Sequence, residues 1–196
     1  MSMILDKIRN NIIYPIINSI APVKEVSWGV AIGTFVGLTP TMGIQMYIVA
    51  AIWTIFRYIF KFHFNLPVGI ALVWITNPVT VIPIYYLFLI TGSAIFEIVG
   101  IVSHPLNYVT FKDSFIQISN LDGTWNVIVE GTRFLLIELG LPLLIGGLCY
   151  ALPSSVIGYY ITSSTLTKYR QRKAKLADMS YDEWRALHEK SHSSII

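Results

Sequence analysis

Two long apolar stretches, each broken near its middle by proline, set the limits on what this chain can fold into. The first runs from Val26 to Phe56 and is broken at Leu38-Thr39-Pro40-Thr41-Met42-Gly43. The second runs from Leu66 to Val102, broken at Thr76-Asn77-Pro78-Val79-Thr80 and again at Pro83. A third, about Phe134 to Ile161, contains Pro142 and Pro153. Proline lacks the backbone donor, so Pro40 leaves the carbonyl of Val36 without its helical partner and Pro78 does the same to Trp74. Inside a bilayer no water replaces that donor, and irregular backbone at such depth lies against protein or lines a cavity. Paired broken helices are a recurrent way of building a transport site.

Composition agrees with a bilayer setting. Of the 196 residues 54% are hydrophobic and only 13% are Asp, Glu, Lys or Arg, against about 25% charged in soluble domains. Mean hydropathy is +0.62. Each apolar stretch exceeds the roughly 20 residues that a spanning helix needs. The expected fold class is therefore an all-α multi-pass membrane protein. It has re-entrant or broken helix hairpins at Pro40 and Pro78/Pro83, and a final spanning helix. Cys149 is the only cysteine, which excludes an intrachain disulfide and cysteine-cluster metal sites. The N-terminus does not read as a cleavable signal. Asp6, Lys7, Arg9, Asn10 and Asn11 interrupt it, while Ile4, Leu5, Ile8, Ile12 and Ile13 recur at helical spacing. An amphipathic helix at the interface fits that pattern.

Charge distribution orients the chain. Lys7, Arg9 and Lys24 precede the first stretch, Arg57 and Lys61 follow it, and Lys168, Arg170, Arg172, Lys173 and Lys175 follow the third. Residues 103–130 instead carry Lys112 against Asp113, Asp122 and Glu130. The positive-inside rule then puts the N-terminus, the Arg57–Lys61 link and the C-terminal tail in the cytoplasm. On that assignment Val26–Phe56 enters and returns as a hairpin turning at Pro40. A competing layout makes Gly43–Phe62 a full span preceded by a half-helix. Three regions follow: an interfacial N-terminal segment (1–25), a membrane domain (26–163, with an extracytoplasmic linker at 103–130) and a basic cytoplasmic tail (164–196). Ser180-Tyr181-Asp182-Glu183 has capping-box spacing for a short helix containing Trp184 and Leu187. A shift of 38 residues lays Thr39-Pro40-Thr41 over Asn77-Pro78-Val79, a weak internal repeat.

The order of these motifs resembles a known family. Gly29-Val30-Ala31-Ile32-Gly33-Thr34-Phe35-Val36-Gly37-Leu38-Thr39-Pro40, then Gly43 and Gln45, is similar to the opening signature of the integral-membrane domain-of-unknown-function family numbered 2062. Asn65-Leu66-Pro67, Trp74-Ile75-Thr76-Asn77-Pro78-Val79-Thr80 and the Gly146-Gly147 and Tyr159-Tyr160 to Arg172 ending continue the pattern. The resemblance covers about residues 23–172. It implies a bacterial inner-membrane protein, with a hint of lipid-linked sugar or envelope lipid metabolism. It carries over no catalytic residue. The 103–130 linker departs from the compact form of the family.

The residues then name a candidate site. Helix ends opened by the breaks expose N–H groups and a positive dipole end. Fringed by Thr39, Pro40, Thr41, Gln45, Asn77, Pro78 and Thr80, they are expected to bind an anion such as a polyprenyl phosphate or another anionic lipid. Gly33, Gly37 and Gly43 are expected to permit close approach. The plainer reading is that Thr and Asn cap helix ends and glycine packs helices. Charges within apolar regions are candidates too: Glu138 for coupling and Arg133 for a phosphate, with Glu97 towards the same face. Alternatively Arg133 pairs with Glu130 and Glu97 reaches the interface. No nucleotide, zinc or nucleophile-elbow motif occurs, so no enzyme activity, cofactor, metal or nucleic-acid partner is expected. The leading expectation is a transporter or flippase-like protein for an anionic, lipid-linked envelope substrate. The alternative is a non-catalytic accessory subunit of an envelope-synthesis complex. Either is expected in a homo-oligomer or with a partner membrane protein.

Overall fold

The computed structural model describes residues 14–41, 43–77, 80–100 and 140–189, and every regular element among them is an α-helix. In chain order these are α1 (Tyr14–Ile17), α2 (Val23–Gly37), α3 (Gln45–Tyr58), α4 (Leu66–Val73), α5 (Val81–Ile98), α6 (Leu141–Leu176) and α7 (Tyr181–His188). The expected interfacial helix around Ile4–Ile13, the 103–130 linker, Pro78, Arg133 and Glu138 lie outside the described residues.

Proline and its neighbours explain most boundaries. α2 begins directly after Pro22 and stops at Gly37, three residues before Pro40. The turn that follows is closed by Gly43, whose φ of +93° is one that only glycine adopts without strain. α4 is started by Asn65, whose side chain accepts the Val68 N–H at 3.0 Å, with Pro67 in its first turn. Pro83 does not break the second stretch, contrary to expectation. It sits in the first turn of α5, where a missing N–H leaves no bond unmade. The third stretch also runs further than its apolar part. α6 continues through Pro153 and past Ile161 to Leu176, so the basic flank is the same helix. α7 carries the expected capping box, Ser180 and Glu183 each bonding the other's backbone N–H.

Two helices, Val81–Ile98 and Leu141–Leu176, are long and apolar enough to cross a membrane. Only 11% and 22% of their apolar windows are buried. A core helix of a water-soluble domain would be mostly buried, so both present an apolar surface to their surroundings.

The chain forms two compact units, residues 1–77 with 151–196 and residues 78–150. In the first, α2 and α4 run parallel with their backbones in contact. A side chain at Gly29 would meet the Asn65 carbonyl, and one at Gly33 would meet Gly69. The small residues at 29, 33 and 69 thus set the helix spacing. Gly43, expected to share this role, has nothing within 4 Å of a would-be Cβ and serves the turn instead. Around this contact Ala21, Val26, Val30, Val68, Leu72 and Leu166 form one buried cluster. Val36, Val49, Phe64 and Val73 form another, into which α3 packs. The 151–176 part of α6 runs antiparallel to α2: Gly158 lies against Val30, Tyr159 against Trp28, and Leu166 against the Ala21–Val26 end.

The second unit pairs α5 with the beginning of α6. Their backbones meet at Gly92 against Pro142 and at Gly146 against Phe88. Phe88 stacks between Tyr85 and Tyr150, and the Tyr150 hydroxyl bonds Thr91 at 3.0 Å.

Candidate functional site

The residues flagged around Pro40 converge at one end of the first unit, where α2 and α4 finish and α3 begins. Pro40 frees the Val36 carbonyl, and Thr39 answers it twice. Its backbone N–H donates at 3.1 Å and its hydroxyl at 2.7 Å. With that proton committed, the Thr41 hydroxyl supplies the hydrogen in its 3.0 Å contact with Thr39. The neighbouring Gly37 carbonyl is met from another direction. Thr76 donates to it at 2.7 Å, and Gln45 Nε2 donates to Thr76 at 2.8 Å. Gln45 and Thr76 are only 5% and 4% exposed, so this is a polar knot held inside an apolar body.

The second break repeats the device. Asn77 Nδ2 reaches back to the Trp74 carbonyl at 3.4 Å, the acceptor that Pro78 frees. Thr39 to Val36 and Asn77 to Trp74 are the same i to i−3 contact, 38 residues apart. This is the offset of the internal repeat.

This geometry changes the chemistry of the site. The expectation was of Thr and Asn groups around helix N-termini. Thr39, Thr76 and Asn77 instead serve the carbonyl ends of α2 and α4, because those are the acceptors that the prolines leave behind. Gln45 is the first residue of α3, whose N-cap, Ile44, makes no side-chain cap bond. Residues 38–45 and 74–80 include no Lys, Arg, His, Asp or Glu. The knot is therefore neutral, a set of hydroxyls and an amide rather than a charge clamp. Thr80 stands at the N-cap of α5, in the second unit, without a side-chain cap bond. Glu97 is exposed near the C-terminal end of the same helix. Thr76 was not among the expected site residues; its partner lies 31 positions away, which no local pattern reveals.

A second polar cluster closes the opposite end of the first unit. Arg170 is 2% exposed. Its guanidinium donates to the Ser19 and Ala21 carbonyls at 2.7 and 2.9 Å and to Glu189 at 2.6 Å. Asn65, while capping α4, donates to the Ser19 hydroxyl at 2.9 Å. Arg170 therefore does not belong to the solvated basic flank in which the sequence placed it. Among the described residues, no three His, Cys, Asp or Glu side chains are grouped to hold a metal.

A family model described as "uncharacterized protein conserved in bacteria" matches residues 11–175, most of the chain. The chain belongs to the DUF2062 family. No functionally curated protein and no solved structure matches it. The DUF2062 match agrees with the resemblance seen over residues 23–172 and contains both breaks, Gln45, Thr76 and Arg170. It stops before α7 and before Glu189, the acidic partner of Arg170.

Proposed function

We propose that this DUF2062 protein is a multi-pass inner-membrane protein that transports or flips an anionic, lipid-linked envelope substrate past its paired proline breaks. The observation that carries the reading is the buried neutral knot of Gln45, Thr76 and Gly37 at the tips of helices too short to span. α2, α3 and α4 have 15, 14 and 8 residues, about 22, 21 and 12 Å of helix, against a hydrocarbon core of about 30 Å. A re-entrant α2–α3 hairpin followed by the half-helix α4 accounts for those lengths, whereas a full span over Gly43–Phe62 would need an unbroken helix. The tip then lies at bilayer depth, where non-helical backbone belongs beside a path rather than beside lipid. A neutral lining suits passage of a polar headgroup, because a deep charge clamp would trap an anion rather than release it. α5 and α6 are the crossing helices of this layout, with the α6 C-terminus in the cytoplasm. A second copy or partner subunit shares the remaining apolar surface.

The test is a flipping assay in proteoliposomes with a fluorescent short-chain polyprenyl phosphate. The parent protein is expected to accelerate its exchange between leaflets, and a Gln45→Leu/Thr76→Val variant that still reconstitutes as folded protein is expected not to. Equal exchange by both proteins would sink the assignment.

The accessory-subunit reading draws on α7, which is capped, carries an exposed Leu187 and lies outside the family match. Deleting the tail from Lys168 does not separate the two readings, since it also removes Arg170 and its ties to Ser19 and Ala21. A Leu187→Glu change does. It leaves flipping intact on the transport reading and releases a bound partner on the accessory one.

A further inference from the structure

The fold gathers basic residues of the first unit at one end. Lys24 lies in the first turn of α2, Arg57, half-buried over the Trp53 ring, in the last turn of α3, and exposed Lys61 just past it. Phe62, next to Lys61, packs on Trp28 at 5.3 Å, and Asn65 N–H donates to the Glu25 carbonyl at 2.9 Å. Those contacts bring the end of α3 beside the start of α2. Arg170 binds Ser19 and Ala21, which brings the basic part of α6 to the same place. The opposite end, at the proline breaks, has no basic residue in residues 38–45 or 74–80.

α6 buries one residue of its basic run and exposes the others. Thr162, Leu166, Arg170 and Ala174, spaced by four, are buried. Lys168, Arg172 and Lys175, spaced by four and three, are exposed along another stripe, and Lys173, also exposed, holds its ammonium 4.9 Å from the Tyr169 ring centre. The same helix exposes Val156, Ile157, Tyr160 and Ile161 just before them. From Ile161 to Lys168 is about 10 Å of helix, enough to clear the roughly 5–7 Å over which each side of a bilayer passes from hydrocarbon to headgroup. Exposed Tyr58 and Phe60 flank Arg57 and Lys61 in the same way. The acidic groups cancel only part of this surface: Glu25 is buried, Glu189 is held by Arg170 and Arg185, Asp182 stands 3.9 Å from Arg185, Glu183 caps α7, and Asp178 is exposed just past Lys175.

We infer that this basic end, with Lys168, Arg172 and Lys175 as its main stripe and Lys24, Arg57 and Lys61 beside it, docks the headgroups of anionic phospholipids. Charge complementarity selects the occupant, and the apolar stripe running straight into the basic one sets the depth at which it binds. The inference rests on the membrane reading above but not on transport. On that reading the surface also gathers anionic headgroups beside the mouth of the path, which the neutral knot alone does not do.

The experiment titrates the detergent-solubilised full-length protein with phosphatidylglycerol or phosphatidylcholine and counts bound lipid by native mass spectrometry. Phosphatidylglycerol is expected to bind preferentially, the preference falling with salt. The variant Lys168→Gln/Arg172→Gln/Lys175→Gln alters exposed side chains only. It is expected to weaken phosphatidylglycerol binding roughly a hundredfold, at about 1 kcal/mol per basic residue, with an unchanged melting temperature. Equal binding of the two lipids overturns the inference. So does undiminished phosphatidylglycerol binding by the triple variant, or an acidic protein that the parent retains and the triple variant releases. Gln45→Leu/Thr76→Val separates this outcome from the transport reading, because it is expected to lose flipping and keep its phosphatidylglycerol.

Discussion

The Gln45–Thr76–Gly37 knot admits a double-mutant cycle whose outcome is worked from its geometry. Thr76→Val removes the 2.7 Å donor to the Gly37 carbonyl and the acceptor of the Gln45 amide. A stranded buried group costs about 1–3 kcal/mol in a water-soluble protein. Interhelical bonds in membranes average nearer 0.6 and reach about 1.7 kcal/mol. The Gln45 amide already stands 3.5 Å from the Gly37 carbonyl and needs little movement to replace the lost donor. A cost of about 1–2 kcal/mol follows for Thr76→Val. Gln45→Leu is milder, about 0.5–1 kcal/mol, because Thr76 keeps its bond to Gly37 and leucine fills the space. In the double variant Leu and Val pack together and only the Gly37 carbonyl is stranded. Its cost is expected near 1 kcal/mol, below the sum of the singles by up to about 1–2 kcal/mol. Unfolding in mixed micelles by denaturing detergent reads all four corners. Additivity within about 0.3–0.5 kcal/mol would refute the knot as a shared network.

Three further outcomes are expected. Gly33→Ala pushes a methyl into Gly69 and to 2.7 Å from Leu72 Cβ, where neither helix yields, and should lower stability by about 1–3 kcal/mol; Gly158→Ala meets Val30 Cγ1 at 3.3 Å and Thr34 Oγ1 at 3.8 Å, both side-chain atoms, and should be nearly neutral. A melting-temperature comparison of the two decides whether close backbone approach holds α2 to α4. Arg170→Ala breaks a buried pair and two carbonyl contacts and should cost about 3–5 kcal/mol. The low end is expected, because Glu189 keeps Arg185 at 3.3 Å, and a loss under about 1 kcal/mol on thermal melting would contradict a clamp. The Glu183 carboxylate is held below its ordinary range by the backbone N–H and hydroxyl of Ser180. Its contribution to α7 is therefore present above the usual carboxylate pKa of about 4.3 and is lost as pH falls through the lowered value. The protection of the Ser180 amide, relative to its intrinsic exchange rate at each pH, should fall only below that range, and a loss beginning near pH 6 would exclude the capping box as its cause.

The helical fold and both breaks were legible because proline acts locally: it removes a donor whatever surrounds it, and Gly37, Gly43 and Asn65 sit beside it in the chain. Pro83 misled because the same residue is harmless in a first turn, and its position in α5 depends on where that helix starts. The candidate site was legible in part. Gln45 stood out as a polar group among apolar ones, but Thr76 took its meaning from a partner 31 residues away. Arg170 looked like one of five basic residues in a flank. The signal separating it was present in Leu166 and Ala174, four residues to either side, which place it on the buried ridge. The direction of the hydroxyls was out of reach, because a threonine beside a proline serves a carbonyl or an N–H according to which helix end it faces.

The Arg170 clamp ties Ala21 to a residue 149 positions later. A ribosome adding about 5–20 residues per second takes roughly 7–30 s to cover that interval. For most of it, from the completion of α4 onward, the paired α2 and α4 exist without the helix that covers them, and the Ser19 and Ala21 carbonyls lack their donor. Biogenesis therefore passes through a species in which the oldest apolar segments wait for the youngest. A chain stalled before residue 170 presents an open seam for chaperones and proteases to recognise.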